Sequence, residues 1–141
     1  MQVRVLGIYG YRGRFDYEWG ESLPDPSWSD IEAALRRLDA NEYAGVVLHQ
    51  NDHREGEPAT DYFSVTGGPD GYLVTCVLPG HRSVTIVDAS KADGGEFVGV
   101  CRRDQGVWIP ERKVCHDFEV VLAAAKYYAE TGRPWPGVTW G

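Results

Sequence analysis

The sequence predicts an α+β fold: one antiparallel β-sheet of five to seven strands carrying two main helices, over residues 29–39 and 117–131, in a single domain of 141 residues. Three observations lead there. Short runs of β-branched and aromatic residues recur from residue 44 to residue 101, separated by glycine and proline turns. Two segments flanking that region switch to helical period. The length suits one core without disulfides or metals, and the abundant glycine and five tryptophans favour sheet and turns over a helical bundle.

Residues 2–19 alternate apolar and polar side chains around Gly10 and Gly13, with Val3, Val5 and Tyr9 before the turn and Phe15, Tyr17 and Trp19 after it, which describes a hairpin. Pro24 and Pro26 break the pattern, and SWSDIEAALRRLD opens the first helix. Ser29 and Glu32 there have the spacing of a capping box, in which serine accepts from a backbone N–H and glutamate returns to the cap. Ile31, Ala34, Leu35 and Leu38 share one face. AGVVLHQ (44–50) reads as a buried strand and NDHREGEPATD as a surface loop. YFSVTG, GYLVTCVL, RSVTIVD and EFVGVC then form a meander, with turns at GGPDG, LPGH and SKADGG. In the second helix Phe118, Val121, Leu122, Ala125 and Tyr128 line one stripe, Asp117 is the N-cap, Gly132 takes the left-handed position after the last turn, and Pro134 prevents continuation. Pro134 and Pro136 keep the tail extended, so that Val138 and Trp140 fall on one side; Trp140 is expected to anchor the C-terminal segment and Trp135 to be the more exposed.

The formal net charge of −7 argues against a surface that neutralises phosphates, so nucleic acid is not an expected direct ligand. The start, MQVRVLGIYGYRGRF, has no continuous apolar segment of the kind a signal peptide needs, and no stretch reaches membrane-span length, so a cytoplasmic location is expected. The odd count of Cys76, Cys101 and Cys115 speaks for reduced thiols.

Constellations that would mean catalysis are weak. His49 and His53 in HQNDH have metal-ligand spacing, but they straddle a strand end and a loop, without a glutamate between them. Cys115 and His116 are adjacent and point apart, where a thiolate–imidazolium pair needs convergence. The glycines of GIYGYRG lead into FDYEW, a strand and not the helix a phosphate cradle opens. Ser64 and Ser83 lie on strands with no nucleophile elbow. No cofactor or catalytic residue is expected.

The segment AAAKYYAETGRPWPGVTW, residues 123–140, has a late helix with alanines and an aromatic pair, then Thr-Gly, a proline and a terminal valine-x-tryptophan. In this it resembles the Imm-one family of bacterial polymorphic-toxin immunity proteins, typically paired with deaminase toxins. The WSDIEAALRRL helix, the meander and the length agree with the family, while the aromatic hairpin GIYGYRGRFDYEW stands outside its pattern. The resemblance implies a cytoplasmic antidote that occludes the active site of a cognate toxin and performs no turnover.

Such a protein competes with nucleic acid by charge and shape. Between Phe15 and Glu32 the acidic residues Asp16, Glu18, Glu21, Asp25, Asp30 and Glu32 occur with no lysine or arginine, interleaved with Trp19 and Trp28. Asp16, Glu18, Trp19, Glu21, Asp25 and Trp28 are therefore the first candidate partner-binding set. The loop residues Asp52, Glu55, Glu57 and Asp61 are the second, with Tyr62 beside them. A plainer account makes Asp30 and Glu32 ordinary helix-start residues, and Asp16 and Glu18 the solvent side of a strand. Two rival functions remain: a small-molecule-binding or enzymatic domain using the hairpin tyrosines with His49, His53 or His116, and an antidote to a nuclease toxin.

Overall fold

The computed structural model describes residues 1–12, 17–50, 61–80, 82–91, 96–100 and 108–141, the side chains of 17 and 18 excepted. Strands β1 (Val5–Arg12) and β2 (Tyr17–Pro24) form a hairpin, followed by helix α1 (Trp28–Arg36) and β3 (Gly45–His49). Strands β4 (Tyr62–Gly68), β5 (Gly71–Leu78) and β6 (Arg82–Val87) run on as a meander. Then come β7 (Phe97–Gly99), β8 (Trp108–Pro110), a short 3-10 turn (Glu111–Lys113), helix α2 (Phe118–Thr131) and β9 (Thr139–Trp140). The main sheet is antiparallel throughout and has seven strands in the order β2-β1-β3-β4-β5-β6-β9; β7 and β8 pair separately. The α+β class, the number of strands in the main sheet and the presence of two helices are as the sequence predicts.

Period-two alternation decides which face is buried. Leu6 and Ile8, Val46 and Leu48, Phe63 and Val65, and Val74 and Cys76 all point to one side, where they pack with Ile31, Leu35 and Leu38 of the α1 region and Val121, Ala125 and Tyr128 of α2. Both helices thus lie on one face, and the Tyr128 ring stacks on Phe63 at 5.3 Å. The opposite face is more polar: the Tyr9 hydroxyl meets that of Thr66 at 2.9 Å. There Leu73 packs in a small cluster with Val98, Ile109 and Val114, which seats the β7–β8 ribbon.

Four local expectations need correction. The core side of β1 is carried by Leu6 and Ile8, not by Val5 and Tyr9, which are half-buried on the other face. Gly10 is not in the turn: it sits inside β1 opposite Trp19, where a Cβ would collide with the carbonyl oxygen of Glu42. β2 runs through to Pro24, and a proline is tolerated there because β2 is the edge strand, with no outer ladder to supply among the described residues.

The second correction is the start of α1. Ser27, extended after Pro26, is the N-cap: its hydroxyl accepts from Asp30 N–H at 3.1 Å, and the Asp30 carboxylate accepts from Ser27 N–H at 2.9 Å. Glu32 pairs with Arg36 instead, at 3.0 Å. The helix also ends early, at Arg36 and not 39, because Asp39 Oδ1 accepts from the N–H groups of Asn41 and Tyr43 and draws the chain into a turn, with Ala40 at φ 64°.

Third, EFVGVC does not extend the meander. Asp88 Oδ1 accepts from both the backbone and the hydroxyl of Ser90, a turn that lifts the chain off the sheet after β6. β7 then pairs with β8, and β9 takes the position beside β6. Fourth, Trp135 does not stand out in solvent. Like Trp140 it is half-buried against the core, and the Trp140 indole N–H donates to its carbonyl at 2.8 Å. The α2 boundaries hold: Asp117 accepts from Glu119 N–H, and Gly132 is left-handed at φ 72°.

Candidate functional site

Among the described residues three surfaces have chemical character: an acidic one along β2 and the start of α1, a cleft at the C-terminal end of α2, and the outer face of the β7–β8 ribbon.

The first follows from the hairpin. Trp19 is half-buried; its indole N–H donates to Glu42 O at 2.7 Å, its ring meets Tyr43 edge-on at 5.4 Å, and the Arg12 guanidinium lies 3.8 Å over it. Trp19 is therefore a packed residue that fixes β2 to the 41–43 segment. Glu21 is exposed and shares a hollow of about 250 Å³ with Asp30 of α1 and Arg37. Asp25 is exposed at φ 48°, its N–H bonded to Arg4 O at 2.8 Å. Trp28, the first residue of α1, is half-buried beside Lys126 and Glu130 of α2. The Ser27 hydrogen bonds hold the Asp30 carboxyl below the usual carboxylate range, so its charge persists at mildly acidic pH.

Of the sequence-predicted partner residues, Trp19, Glu21, Asp25 and Trp28 thus lie along one stretch of strand and helix start. Asp16, Asp52, Glu55 and Glu57 lie outside the described residues, as does the side chain of Glu18. Asp61 belongs elsewhere, in the cleft.

That cleft has a volume of about 590 Å³ and lies between the start of β4, the end of β5 and the residues after α2. Gln50 builds one side. Its amide donates to the Tyr128 hydroxyl at 2.9 Å and to Gly132 O at 3.0 Å, tying the end of β3 to the cap of α2. Asp61 lines the cleft, and its Oδ1 is shut away from solvent with no hydrogen-bond donor among the described residues. Burial pushes the neighbouring Cys76 thiol up to about 11, with a smaller push from the Asp61 charge. Burial likewise raises Tyr128, against the lowering effect of the Gln50 bond.

The third surface was not legible in sequence. β7 and β8 turn Val98 and Ile109 inward, which leaves Phe97, Gly99, Trp108 and Pro110 on the outer face. Phe97 is 60% exposed and Trp108 64% exposed. EFVGVC alternates apolar residues with glycine and shows no polar side, so period alone does not reveal that Phe97 faces out.

The described members of the catalytic constellations considered above are placed as follows. Cys115 is buried, its thiol directed at Asp117 O at 3.5 Å and pushed up by burial, while His116 is exposed. His49 is half-buried on β3 with its ring tilted against Tyr62, and His53 lies outside the described residues. Gly7 and Gly10 are strand residues of β1. Ser64 and Ser83 sit on strands β4 and β6. Among the described residues no group of three or more His, Cys, Asp or Glu is placed to hold a metal ion, and no helix is long and apolar enough to cross a membrane.

No family model matches the chain, and no curated protein matches it. Among solved structures it is similar to the crystal structure of a hypothetical protein from Neisseria gonorrhoeae, with a TM-score of 0.59 at 9% sequence identity over 94% of this chain and 91% of that one. The likeness is one of fold.

Proposed function

We propose that the protein is an immunity protein: a cytoplasmic antidote that binds a cognate bacterial toxin, a nucleic-acid deaminase domain, and blocks its active site without turnover. The observation that carries the reading is the outer face of the β7–β8 ribbon, where Phe97 and Trp108 stand more than half exposed on a strand pair whose inner face is already packed. Large aromatic rings held out on paired backbone supply contact area at low entropic cost and are the residue types that dominate protein interfaces. The resemblance of residues 123–140 to the Imm-one pattern supports the same reading, and so does the net charge of −7. A deaminase that draws nucleic acid into its pocket needs a surface attractive to phosphate, and an acidic protein associates with such a surface quickly.

The test is affinity capture with tagged protein from cells that make it, with a salt elution and identification of the eluted polypeptides. One co-purifying polypeptide carrying an HxE and PCxxC zinc-deaminase signature is the expected result. Recovery of a nuclease toxin would keep the antidote role and remove the deaminase; recovery of no partner from cells that express a toxin would overturn the reading. The cleft favours a second reading, a small-molecule-binding domain, because its volume lies in the range of ligand pockets, about 300 to 1,000 Å³. A metabolite that co-purifies in equimolar amount, detected by native mass spectrometry, would establish that reading instead.

A further inference from the structure

We infer that the outer edge of β2 takes up an extended segment of the protein partner as an eighth strand of the main sheet, with an apolar side chain seated between β2 and α1 and a basic residue two positions away. The inference rests on the partner-binding reading only in that the strand arrives on a protein; the mode of recognition stands on the edge itself.

The backbone sets the phase of that edge. The Asp25 N–H donates to Arg4 O at 2.8 Å, directly beyond the pair Val5 and Pro24. Bonded pairs alternate along an antiparallel ladder, so Leu23, Glu21 and Trp19 turn their peptide groups to β1, opposite Leu6, Ile8 and Gly10. Gly20 and Ser22 therefore point their N–H and C=O groups outward, and Pro24, which has no N–H, falls in the same outward phase. Among the described residues nothing pairs with that side of β2, which is the outermost strand of the sheet. An open row of donors and acceptors on a long strand is a template for one more strand.

The side chains define what that strand carries. Glu21 and Leu23 stand on the helix side of β2, since they lie opposite the core residues Ile8 and Leu6. With Ala33 of α1 they border the hollow of about 250 Å³, and Leu6 and Ile8 close its floor. Leu23 is 42% exposed and Ala33 is exposed, so an aliphatic side chain opposite Leu23 would cover apolar surface that the fold leaves in water. By the period of two, the next residue of the added strand on this face stands beside Glu21. Glu21 is exposed and, among the described residues, has no salt bridge. Arg37, the cation in the lining, lies 5.3 Å over the Tyr43 ring. Edges are commonly guarded by lysine, yet between residues 15 and 32 the chain has six carboxylates and no lysine or arginine. That pattern repels a second copy, whose own acidic edge would face it, and favours a basic strand.

The experiment uses the full chain, isotopically labelled, titrated with N-acetyl-Thr-Lys-Thr-Leu-Thr-Lys-Thr-amide, whose symmetry in charge serves either strand direction. Saturable shifts are expected at the Gly20 and Ser22 amides and at the methyl groups of Leu23 and Ala33. The same peptide N-methylated at the leucine and the two flanking threonines keeps its charge but loses the donors, and should bind about tenfold more weakly or less. The peptide with glutamate in place of both lysines should bind at least about threefold more weakly. All three comparisons are made on the unaltered protein, so no variant has to fold. Ser22→Pro, which removes an outward donor and leaves the ladder to β1 in place, should weaken the lysine peptide by about threefold or more. No shift at millimolar lysine peptide, shifts that avoid β2, equal binding of the N-methylated or the glutamate peptide, or a homodimer with protected Gly20 and Ser22 amides each overturn the inference. Edge-specific binding without a captured toxin would leave the edge assigned and remove the antidote, whereas a captured toxin that leaves the Gly20 and Ser22 amides exchanging as in the free protein would do the reverse.

Discussion

Tyr128 is fully buried in α2, its ring stacked on Phe63 and its hydroxyl taking one of the two Gln50 donors. Tyr128→Phe should keep the packing and strand that donor, lowering stability by about 1 to 2 kcal/mol in urea denaturation. A second expectation concerns alkaline pH. Burial raises Cys76 from 9.0 to about 11 and also raises Tyr128, so the fold favours their neutral forms. The stability that Cys76 contributes is complete below pH 9.0 and is lost as pH rises through about 11. The urea midpoint should therefore fall across that interval, and Cys76→Ser should shrink the pH-dependent part of the fall. A midpoint flat with pH would refute the assignment. Phe97→Ala and Trp108→Ala belong to the other kind of residue: being exposed, each should change stability by less than about 0.5 kcal/mol, while weakening a captured toxin by about 2 kcal/mol if it is central to the interface. At this scale the sequence told the core apart well, since Ile31, Ala34, Leu35 and Leu38 are all buried as their spacing requires. It could not tell Phe97 and Trp108 from core aromatics, because exposure there is decided by which strands pair.

The helix ends show how far local chemistry carries at the level of single elements. The start of α1 contains two overlapping boxes, Ser27 with Asp30 and Ser29 with Glu32, and spacing alone fits both. The chain uses the first because Ser27 is extended directly after Pro26, which leaves Trp28 as the first residue to take helical geometry. Ser27→Ala should accordingly cost about 1 kcal/mol in thermal or urea unfolding, and Ser29→Ala only a few tenths. Equal losses would mean that the cap had been misplaced. At the end of α2 Gly132 was legible because the left-handed backbone after the last helical turn is a local requirement; the close approach there, a Cβ lying 2.8 Å from the Gln50 amide nitrogen, was not. Strand ends were read less well. Gly10 reads as a turn glycine, yet it is a mid-strand residue that makes room for the Glu42 carbonyl to which Trp19 donates. That pressure comes from a segment distant in sequence, and no local pattern encodes it.

In the molecule as a whole, the strand count and class were legible but the order of the sheet was not. A meander continued through EFVGVC is the economical reading; the tail instead supplies the neighbour of β6, with Ile86 opposite Trp140 and Val87 opposite Thr139. The Trp140 indole is half-buried and bonded to Trp135 O, so Trp140→Ala should destabilise by about 2 kcal/mol, and Trp140→Phe, which keeps an aromatic ring, by less. If alanine there changes the urea midpoint no more than a surface substitution does, the tail is not part of the fold's cooperative unit. The late arrival of β9 also bears on synthesis at the ribosome. A nascent chain exposes the outer edge of β6 from the moment β5 and β6 pair, and that edge stays available to other chains until residues 139 and 140 have emerged and docked. Termination or stalling between α2 and β9 would therefore release a product with its helices and most of its sheet formed but with the β6 edge open in addition to that of β2, a species prone to self-association.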